Sequence, residues 1–337
     1  MANGKNGRKR TKKETLITTA IVLIILIATS IKNIVLENQV TQQEGNSNVE
    51  VYQNNSTNEG VVGELILTMI DVGQADCFLF IQNEEIALVD CGTRSTGKDA
   101  VDYLKNIGIT KLDYVFGTHP HDDHMGGMYD IITNFEVGKI IIPKVEEDIT
   151  TNWYIKLMEE LQNGDYVVEY PQVGASYYLG DATMKVIGPI SDANGNTNNY
   201  STVMKVSFGE MDIIMTGDAE TEVEEEILVS NADLDAEILK VGHHGSDTSS
   251  SEEFLDAISP DYALISTKVG NKYEHPIKST MDHLKERNIK VYRTDENGTV
   301  VATITSNGVS FNCQPGDYLS GVELEKQEEE KWKVMRQ

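Results

Sequence analysis

Val115-Phe-Gly-Thr-His-Pro-His-Asp-Asp-His-Met-Gly-Gly127 decides the reading of this chain, because it gathers three of the seven histidines and two aspartates between His119 and His124. Leu112 to Phe116 before it reads as a short apolar strand, and Gly126-Gly127 after it turns the backbone into a helix starting near Met128. A strand that runs out into a loop of imidazoles and carboxylates is a rigid place to hold a cation. His119 and His121 can converge on one ion from an extended loop, while Asp123 and His124 reach an adjacent one. Imidazole suits zinc, manganese or iron, and carboxylate shifts the balance toward harder metals. The expected cofactor is therefore Zn2+ or Mn2+, one or two ions per chain. A polar turn with incidental histidines is the bland alternative, and it leaves the His-x-His-x-Asp-His spacing unaccounted for.

Three other strand ends carry matching chemistry. Ile86 to Val89 ends in Asp90-Cys91-Gly92, where Asp90 can orient a metal-bound histidine from behind. Asp212 to Met215 ends in Thr216-Gly217-Asp218, and a carboxylate there can bridge two cations. The competing role for Asp218 is to cap an acidic helix over 219–230. Ile238 to Val241 runs into Gly242-His243-His244-Gly245-Ser246, which repeats the logic of the first loop. Asp71 and Asp76 flank a tight turn between the strands Leu65–Val72 and Cys77–Ile81, so turn chemistry competes with a supporting role behind the ligands. Downstream, Asn271-Lys-Tyr-Glu-His275-Pro276 adds His275, whereas His283 lies in a helical stretch with Met281 and Leu284 and reads as structural.

The ends of the chain bound its organisation. Lys5, Arg8, Lys9, Arg10, Lys12 and Lys13 precede an apolar run from Leu16 to Ile31 that resumes at Ile34-Val-Leu36, nearly the roughly 20 residues a span needs. The expected layout is a basic cytoplasmic tail over 1–14, a membrane anchor over 15–36, a polar linker over 37–60 too poor in apolar residues to fold, a hydrolase domain over 61–315 and a charged tail over 316–337. The domain is expected outside the cell membrane on a single pass, or secreted if Ala28-Thr-Ser30 is a cleavage site. Three cysteines, Cys77, Cys91 and Cys313, have no paired spacing, so neither a disulfide framework nor a zinc ribbon is indicated. At 337 residues and 39% hydrophobic composition the chain can bury a substantial core. The net charge of -26 counts against tight non-specific binding of nucleic acid, because such a surface repels polyanions.

Between the motifs the pattern alternates. Lys98 to Ile107 is an amphipathic helix, Lys139 to Ile142 a strand, Asn152 to Asn163 a helix, with short strands near Val167 and Met184. Ser201 to Phe208 is a strand that turns at Gly209-Glu210, and Asp261 to Ile265 is another. Trp153 and Tyr154 read as core or groove-edge residues, and Lys144 and Lys156 as solvated positions.

In order, Asp71-Val-Gly-Gln-Ala-Asp76, Val89-Asp-Cys-Gly92, Thr118-His-Pro-His-Asp-Asp-His-Met-Gly-Gly127, Asn199-Tyr-Ser201, Thr216-Gly-Asp218, Val241-Gly-His-His-Gly-Ser246, Asn271-Lys-Tyr-Glu-His-Pro276 and Arg293-Thr-Asp295 form one set. This set resembles the metallo-β-lactamase fold hydrolases, and within them the extracellular domain of the ComEC-type DNA-uptake channels and its stand-alone secreted relatives. The resemblance covers about Glu64 to Phe311. It implies an α+β fold, a four-layer αβ/βα sandwich of two mixed sheets flanked by helices, here preceded by one N-terminal membrane segment. It also implies hydrolysis by metal-bound hydroxide. By position, His119 and His121 would hold the first metal, Asp123, His124 and one of His243 or His244 the second, and Asp218 would bridge. Where many relatives place a further histidine, this chain has the Asn199-Tyr-Ser201 region. Where the subgroup has Asp-Val-Gly-Gln-Gly-Asp and Asn-x-Tyr-Gly-His-Pro, it has Ala75 and Glu274. The channel helices are absent, so transport is not implied.

The expected function is that of a metal-dependent extracellular phosphodiesterase or nuclease, with Asp123, Asp218 and His275 in catalysis, Ser246 and Asn271 on substrate, and Asp71 and Asp90 behind the ligands. The expected partners are a phosphoester such as single-stranded DNA and, through the N-terminal segment, a membrane; no protein partner is deducible. A phosphorylcholine or other small phosphoester is the enzyme alternative, since no basic stripe or run of aromatics offers a stacking platform. A β-lactam ranks third, and a non-catalytic surface binding module on the same fold is the alternative of another class.

Overall fold

The computed structural model describes residues 63–145, 149–193, 195–306 and 308–336. The expected basic tail, membrane segment and linker lie outside them. Among the described residues no helix is long and apolar enough to cross a membrane.

The strands are β1 (Leu65–Met69), β2 (Phe78–Gln82), β3 (Glu85–Val89), β4 (Lys111–Phe116), β5 (Glu136–Ile141), β6 (Val168–Glu169), β7 (Ser176–Leu179), β8 (Ala182–Gly188), β9 (Val203–Phe208), β10 (Met211–Met215), β11 (Ile238–Lys240), β12 (Tyr262–Ile265), β13 (Lys290–Arg293), β14 (Val300–Thr305) and β15 (Gly308–Phe311). The helices are α1 (Gly97–Asn106), α2 (Asp122–Met125), α3 (Met128–Asn134), α4 (Asn152–Asn163), α5 (Thr221–Val229), α6 (Glu252–Ile258), α7 (Lys278–Glu286), α8 (Thr294–Asn297) and α9 (Gly321–Met335).

One sheet runs β15-β14-β1-β2-β3-β4-β5-β6 and the other β13-β12-β11-β10-β9-β8-β7. Both are mixed, and in the same way. In the first, β14, β1, β2 and β3 pair antiparallel while β3 to β6 pair parallel. In the second, β7 to β10 pair antiparallel while β10 to β13 pair parallel.

Alternation along the strands explains the layers. On β1 and β2, Leu65, Leu67, Met69, Phe78 and Phe80 face a core shared with Met204, Val206, Phe208 and Ile213 of the second sheet. Leu79 of β2 and Leu88 of β3 point the other way, under Val101 and Leu104 of α1 and Met128, Ile131 and Leu157 of α3 and α4. The second sheet is covered likewise, with Ile214 and Leu239 against Val223, Ile227, Phe254, Leu255, Met281 and Leu284 of α5, α6 and α7. Strands buried on both faces read as unbroken apolar runs such as Ile213-Ile-Met215. The architecture is therefore two mixed sheets face to face with helices outside, the expected α+β sandwich.

Boundaries differ from the sequence reading where strands hand over to ligand loops. The first strand stops at Met69 rather than Val72, since Ile70 N already bonds across the turn to Cys77 O at 2.9 Å. The stretch expected to be an extended ligand loop contains the single helical turn of α2, with His121 at its start. Strands β7, β13, β14 and β15 and helices α6, α8 and α9 were not anticipated.

Candidate metal centre

The ligand-type side chains all leave the sheets at neighbouring ends. Asp90 follows β3, His119 to His124 follow β4, Asp218 follows β10, His243 and His244 follow β11, and Ser266 follows β12, all at carboxyl ends of parallel-paired strands. Gly127 brings the start of α3 against the turn at Cys91, where any Cβ would run into the Cys91 carbonyl oxygen. That close approach holds the His119–His124 loop against Asp90, and Cys91 N donates to His124 O at 2.7 Å.

One atom lies at the focus. Asp218 Oδ2 is 3.2 Å from His124 Nε2, 3.6 Å from His243 Nε2, 3.8 Å from His244 Nε2 and 3.9 Å from His119 Nε2. Asp123 Oδ2 lies 3.6 Å from His244 Nε2, and His121 Nδ1 lies 3.0 Å from His119 Nε2. Three sets of potential ligand atoms within 4.8 Å of one another share His124: His119, His124 and Asp218; Asp123, His124 and His244; and, on the Nδ1 side of the ring, Asp76, Asp90 and His124.

The Nδ1 sides of these rings are turned to other partners. His124 Nδ1 donates to Asp90 Oδ2 at 2.8 Å, and the same carboxylate accepts from the Thr118 amide and hydroxyl, each at 2.8 Å. His244 Nδ1 donates to the Ser266 carbonyl at 2.8 Å, with Asp76 Oδ1 at 3.3 Å. His119 Nδ1 pairs with the Ser201 hydroxyl at 3.2 Å, and His243 Nδ1 with that of Thr248 at 3.2 Å. Where Nδ1 donates, as to the Asp90 carboxylate from His124 and the Ser266 carbonyl from His244, a neutral ring carries its lone pair on Nε2, so those lone pairs face one carboxylate oxygen. That arrangement is repulsive without a cation between them.

Other observations agree. Buried Asp218 Oδ1, Asp76 Oδ1, His124 Nε2 and His244 Nε2 have no hydrogen-bond partner, and a buried polar atom left so is costly. Burial works to neutralise Asp218, yet His124 and His244 hold its carboxyl well below the usual range. Burial likewise opposes charging His244, but Asp218 and Asp76 lift it to about 10, and His124 is raised well above the imidazole range by Asp218 and Asp90. The nest calls for positive charge, and a divalent cation held by imidazole and carboxylate supplies it. The residues present therefore fit a metal centre.

Beneath it, Lys240 Nζ contacts Asp76 Oδ2 at 2.7 Å, Gly217 O at 2.8 Å and Asp218 Oδ1 at 3.7 Å, with no solvent exposure. Burial alone would lower its pKa, and Asp76 and Asp218 raise it instead. Sequence reading passed over Lys240, although a lysine inside the apolar strand Ile238-Leu-Lys240 was a visible anomaly. It also held Asp76 only as an even choice, whereas Asp76 is buried beside His124 and His244.

The backbone is bent to make the centre. His243, His244 and Gly245 have φ of 49°, 54° and 86°, three left-handed residues in a row that a β-branched side chain would not tolerate. Asp90 shares the feature at φ 59°.

The predicted residues separate as follows. His119, His121, Asp123, His124, Asp218, His243 and His244 come together, with Asp90 behind them. Asp218 is not a helix cap, since α5 begins after Glu220. Asp71 is corrected: it is exposed, its Oδ1 accepts from Gly73 N at 3.1 Å, and it serves the turn. Asn271 is corrected too, because its amide is spent on its own loop, donating to His275 O at 2.6 Å and Lys268 O at 2.8 Å and accepting from Tyr273 N and His275 N. Ser246 lies in a turn, where its hydroxyl meets the Thr248 hydroxyl at 3.1 Å and accepts from Thr248 N at 3.2 Å, so it is not a substrate ligand in this arrangement.

His275 sits at the rim. Its ring is 5.5 Å from that of His243, its Nδ1 is buried without a partner, and burial with the nearby histidines lowers its pKa to about 4. His283 lies apart on α7, 3.7 Å from Glu252. In the Asn199–Ser201 region, Ser201 touches His119 Nδ1 and accepts from Asp218 N at 3.0 Å.

Residues 70–268 match the model of the metallo-beta-lactamase superfamily. The chain is 30% identical over 268 residues to ComE operon protein 3 of Bacillus subtilis, an alignment covering 73% of this chain and 34% of that protein. It is 29% identical over 248 residues to competence protein ComA of Neisseria gonorrhoeae (73% and 33%), and 27% identical over 236 residues to recombination protein 2 of Haemophilus influenzae (68% and 28%). It thus spans about a third of the length of these curated relatives. Among solved structures it resembles CmlA, a diiron beta-hydroxylase from Streptomyces venezuelae, at 17% identity and a TM-score of 0.49 over 72% of this chain and 54% of that one. It also resembles a putative metal-dependent hydrolase from Parabacteroides distasonis, at 16% identity and a TM-score of 0.45 over 68% and 93%. On the family match, the layered fold and the gathered histidines, the chain belongs to the metallo-beta-lactamase superfamily.

Proposed function

We propose that this protein is a metal-dependent phosphodiesterase that hydrolyses single-stranded DNA or a related phosphodiester outside the cell. The observation that carries the hydrolytic half is the convergence of four imidazole Nε2 atoms on Asp218 Oδ2. His119, His121, Asp123, His124, Asp218, His243 and His244 would hold one or two Zn2+ or Mn2+ ions. Such ions supply Lewis acidity toward phosphoryl oxygens and a water activated near neutral pH, so no serine or cysteine nucleophile is required.

The chain's own residues do the rest. Asp90 and the Ser266 carbonyl fix the tautomers of His124 and His244, and Lys240 keeps one oxygen of Asp218 turned away from the imidazoles. His275, neutral at pH 7, adds an imidazole without formal charge at the rim, beside His243. The phosphodiester half of the reading is supported by relatives named as competence and recombination proteins.

The test incubates the chain, loaded with Mn2+ or Zn2+, with single-stranded DNA, bis-p-nitrophenyl phosphate, p-nitrophenyl phosphorylcholine and a chromogenic cephalosporin, with Asp218→Asn as control. We expect turnover of the first two, reduced at least about a hundredfold in the control along with metal content. Turnover of the choline ester alone would make the protein a small-phosphoester esterase. No turnover with either metal would return it to the binding-module class.

The domain is further proposed to face outward on the segment over 15–36, on the strength of the basic cluster before that apolar run. Protease added to intact cells should then remove it. Protection from protease, or recovery only from the medium, would overturn the anchored version.

A further inference from the structure

The loop between β12 and α7 puts an aromatic ring and a cation at the mouth of the metal centre. Tyr273 is 49% exposed, and its ring stacks on that of His275 at 5.6 Å and 25°. His275 in turn meets the His243 ring at 5.5 Å and 78°, and His243 Nε2 is 3.6 Å from Asp218 Oδ2. A continuous row of rings therefore leads from solvent to the focus of the centre. Within it His275 is only 6% exposed and has its Nδ1 buried without a partner, so this edge of the site holds an unmet hydrogen-bonding group. Lys272 Nζ stands 4.6 Å from the Tyr273 ring centroid and lies within electrostatic reach of Asp123. The loop is built rather than loose. Asn271 ties its backbone at both ends, Glu274 takes φ 63°, and Gly321 at the start of α9 packs against it so tightly that a Cβ there would strike the His275 carbonyl oxygen.

We propose that Lys272 and Tyr273 form the subsite for the group attached to the scissile phosphate, and that this subsite takes a planar ring on an anionic backbone, a nucleotide unit, in preference to a quaternary ammonium head group. The proposal rests on the phosphodiesterase reading and narrows it. An exposed ring backed by a stacked imidazole takes a base when the exposed Lys272 side chain swings from it toward the adjoining phosphate, and stacking of that kind tolerates any base. A quaternary ammonium group would seek the same ring by cation–π attraction, but the chain's own ammonium already stands beside it and repels a second cation. That ammonium attracts the next phosphate of a nucleotide chain instead. It is a local cation on a strongly acidic molecule, so recognition is confined to the mouth.

Two esters with the same leaving group separate the subsite from the chemistry: thymidine 5′-p-nitrophenyl phosphate, and methyl p-nitrophenyl phosphate. In the metal-loaded full chain the ratio of their kcat/KM values reads the flanking group alone. Tyr273→Leu should lower that ratio about tenfold, the scale of one base stack. Tyr178→Leu, an exposed tyrosine on β7, should leave it unchanged. Lys272→Gln should raise kcat/KM for p-nitrophenyl phosphorylcholine relative to the methyl ester. In parallel, anisotropy of a labelled oligothymidylate measures binding without turnover, and Tyr273→Leu should weaken it about tenfold. A ratio unmoved by Tyr273→Leu while both esters turn over would overturn the subsite and leave the phosphodiesterase standing. If no ester turns over, the phosphodiesterase reading fails, and the subsite then stands or falls on whether oligothymidylate binding depends on Tyr273.

Discussion

Lys240 shows how a single residue organises the centre from behind. Its ammonium has no solvent exposure, so its charge is tolerated only because Asp76 and Asp218 face it and the Gly217 carbonyl accepts from it. Replacing it with methionine would keep the bulk and strand Asp76 as an unpaired buried carboxylate. Lys240→Met should therefore destabilise the metal-free protein by about 3–5 kcal/mol, the usual consequence of removing one partner of a buried pair. Adding Asp76→Asn should recover part of that loss, since the two residues share one interaction. Urea melts in EDTA measure both, and a single variant that unfolds at the wild-type midpoint would show that the pair carries no such coupling. Residues of this kind explain what the sequence hid. Histidines two and five positions apart announce a metal loop because the ligands must come from one short segment. Lys240 lies on β11 and Asp76 in the turn after β1, and they become neighbours only when β11 lies beside β10 and that turn folds over it. Asp71 and Asp76 look equivalent in Asp71-Val-Gly-Gln-Ala-Asp76, and only the turn decides that the first caps Gly73 while the second goes inward.

At the scale of elements, the parts that were legible are those with a period or a punctuation mark. Helix α4 spans Asn152–Asn163 as read, because Leu157 and Leu161 recur at helical spacing and Gly164 ends it. The strands before Asp90, His119, Asp218 and His243 were legible as apolar runs ending in a polar residue. What escaped was decided by distant partners. Strand β7, Ser176-Tyr-Tyr-Leu179, carries one exposed tyrosine, Tyr178, and exists because β8 pairs along it. Helix α9 reads as a charged stretch, Glu323-Leu-Glu-Lys-Gln-Glu, with only Gly321 and Leu324 buried. Its start is fixed by a capping box, in which the Ser320 hydroxyl accepts from Glu323 N while the Glu323 carboxylate accepts from Ser320 N. The segment before it is pinned by Arg293, which is wholly buried, bonds Asp295 through two nitrogens and donates to the Leu319 carbonyl. The charged stretch therefore backs the His275 loop, a role set by the Gly321 amide donating to Pro276 O at 2.8 Å and not by any pattern within the helix.

The molecule as a whole sets conditions on its substrate that no single loop can. Its net charge of -26 includes a basic N-terminal cluster, so the rest of the chain is more acidic still. A polyanion approaching it meets long-range repulsion, and the local cation at Lys272 and the ions that the centre would hold reverse the sign near the mouth. Nucleases that track a backbone along a basic groove lose affinity as salt rises, because binding releases counterions. Here the opposite sign is expected. Screening shortens the repulsion to about 10 Å at 0.1 M salt, while the contacts at the mouth lie within that distance and survive. Raising ionic strength from about 0.02 to 0.15 M should thus increase kcat/KM for a twelve-nucleotide single strand several-fold, in the manner of an association rate freed from like-charge repulsion. The singly charged methyl p-nitrophenyl phosphate should change far less, since repulsion scales with the charge brought in. A fall in kcat/KM for the oligonucleotide over that range would mean that a basic track binds the strand, and the view of recognition as confined to the mouth would have to be given up.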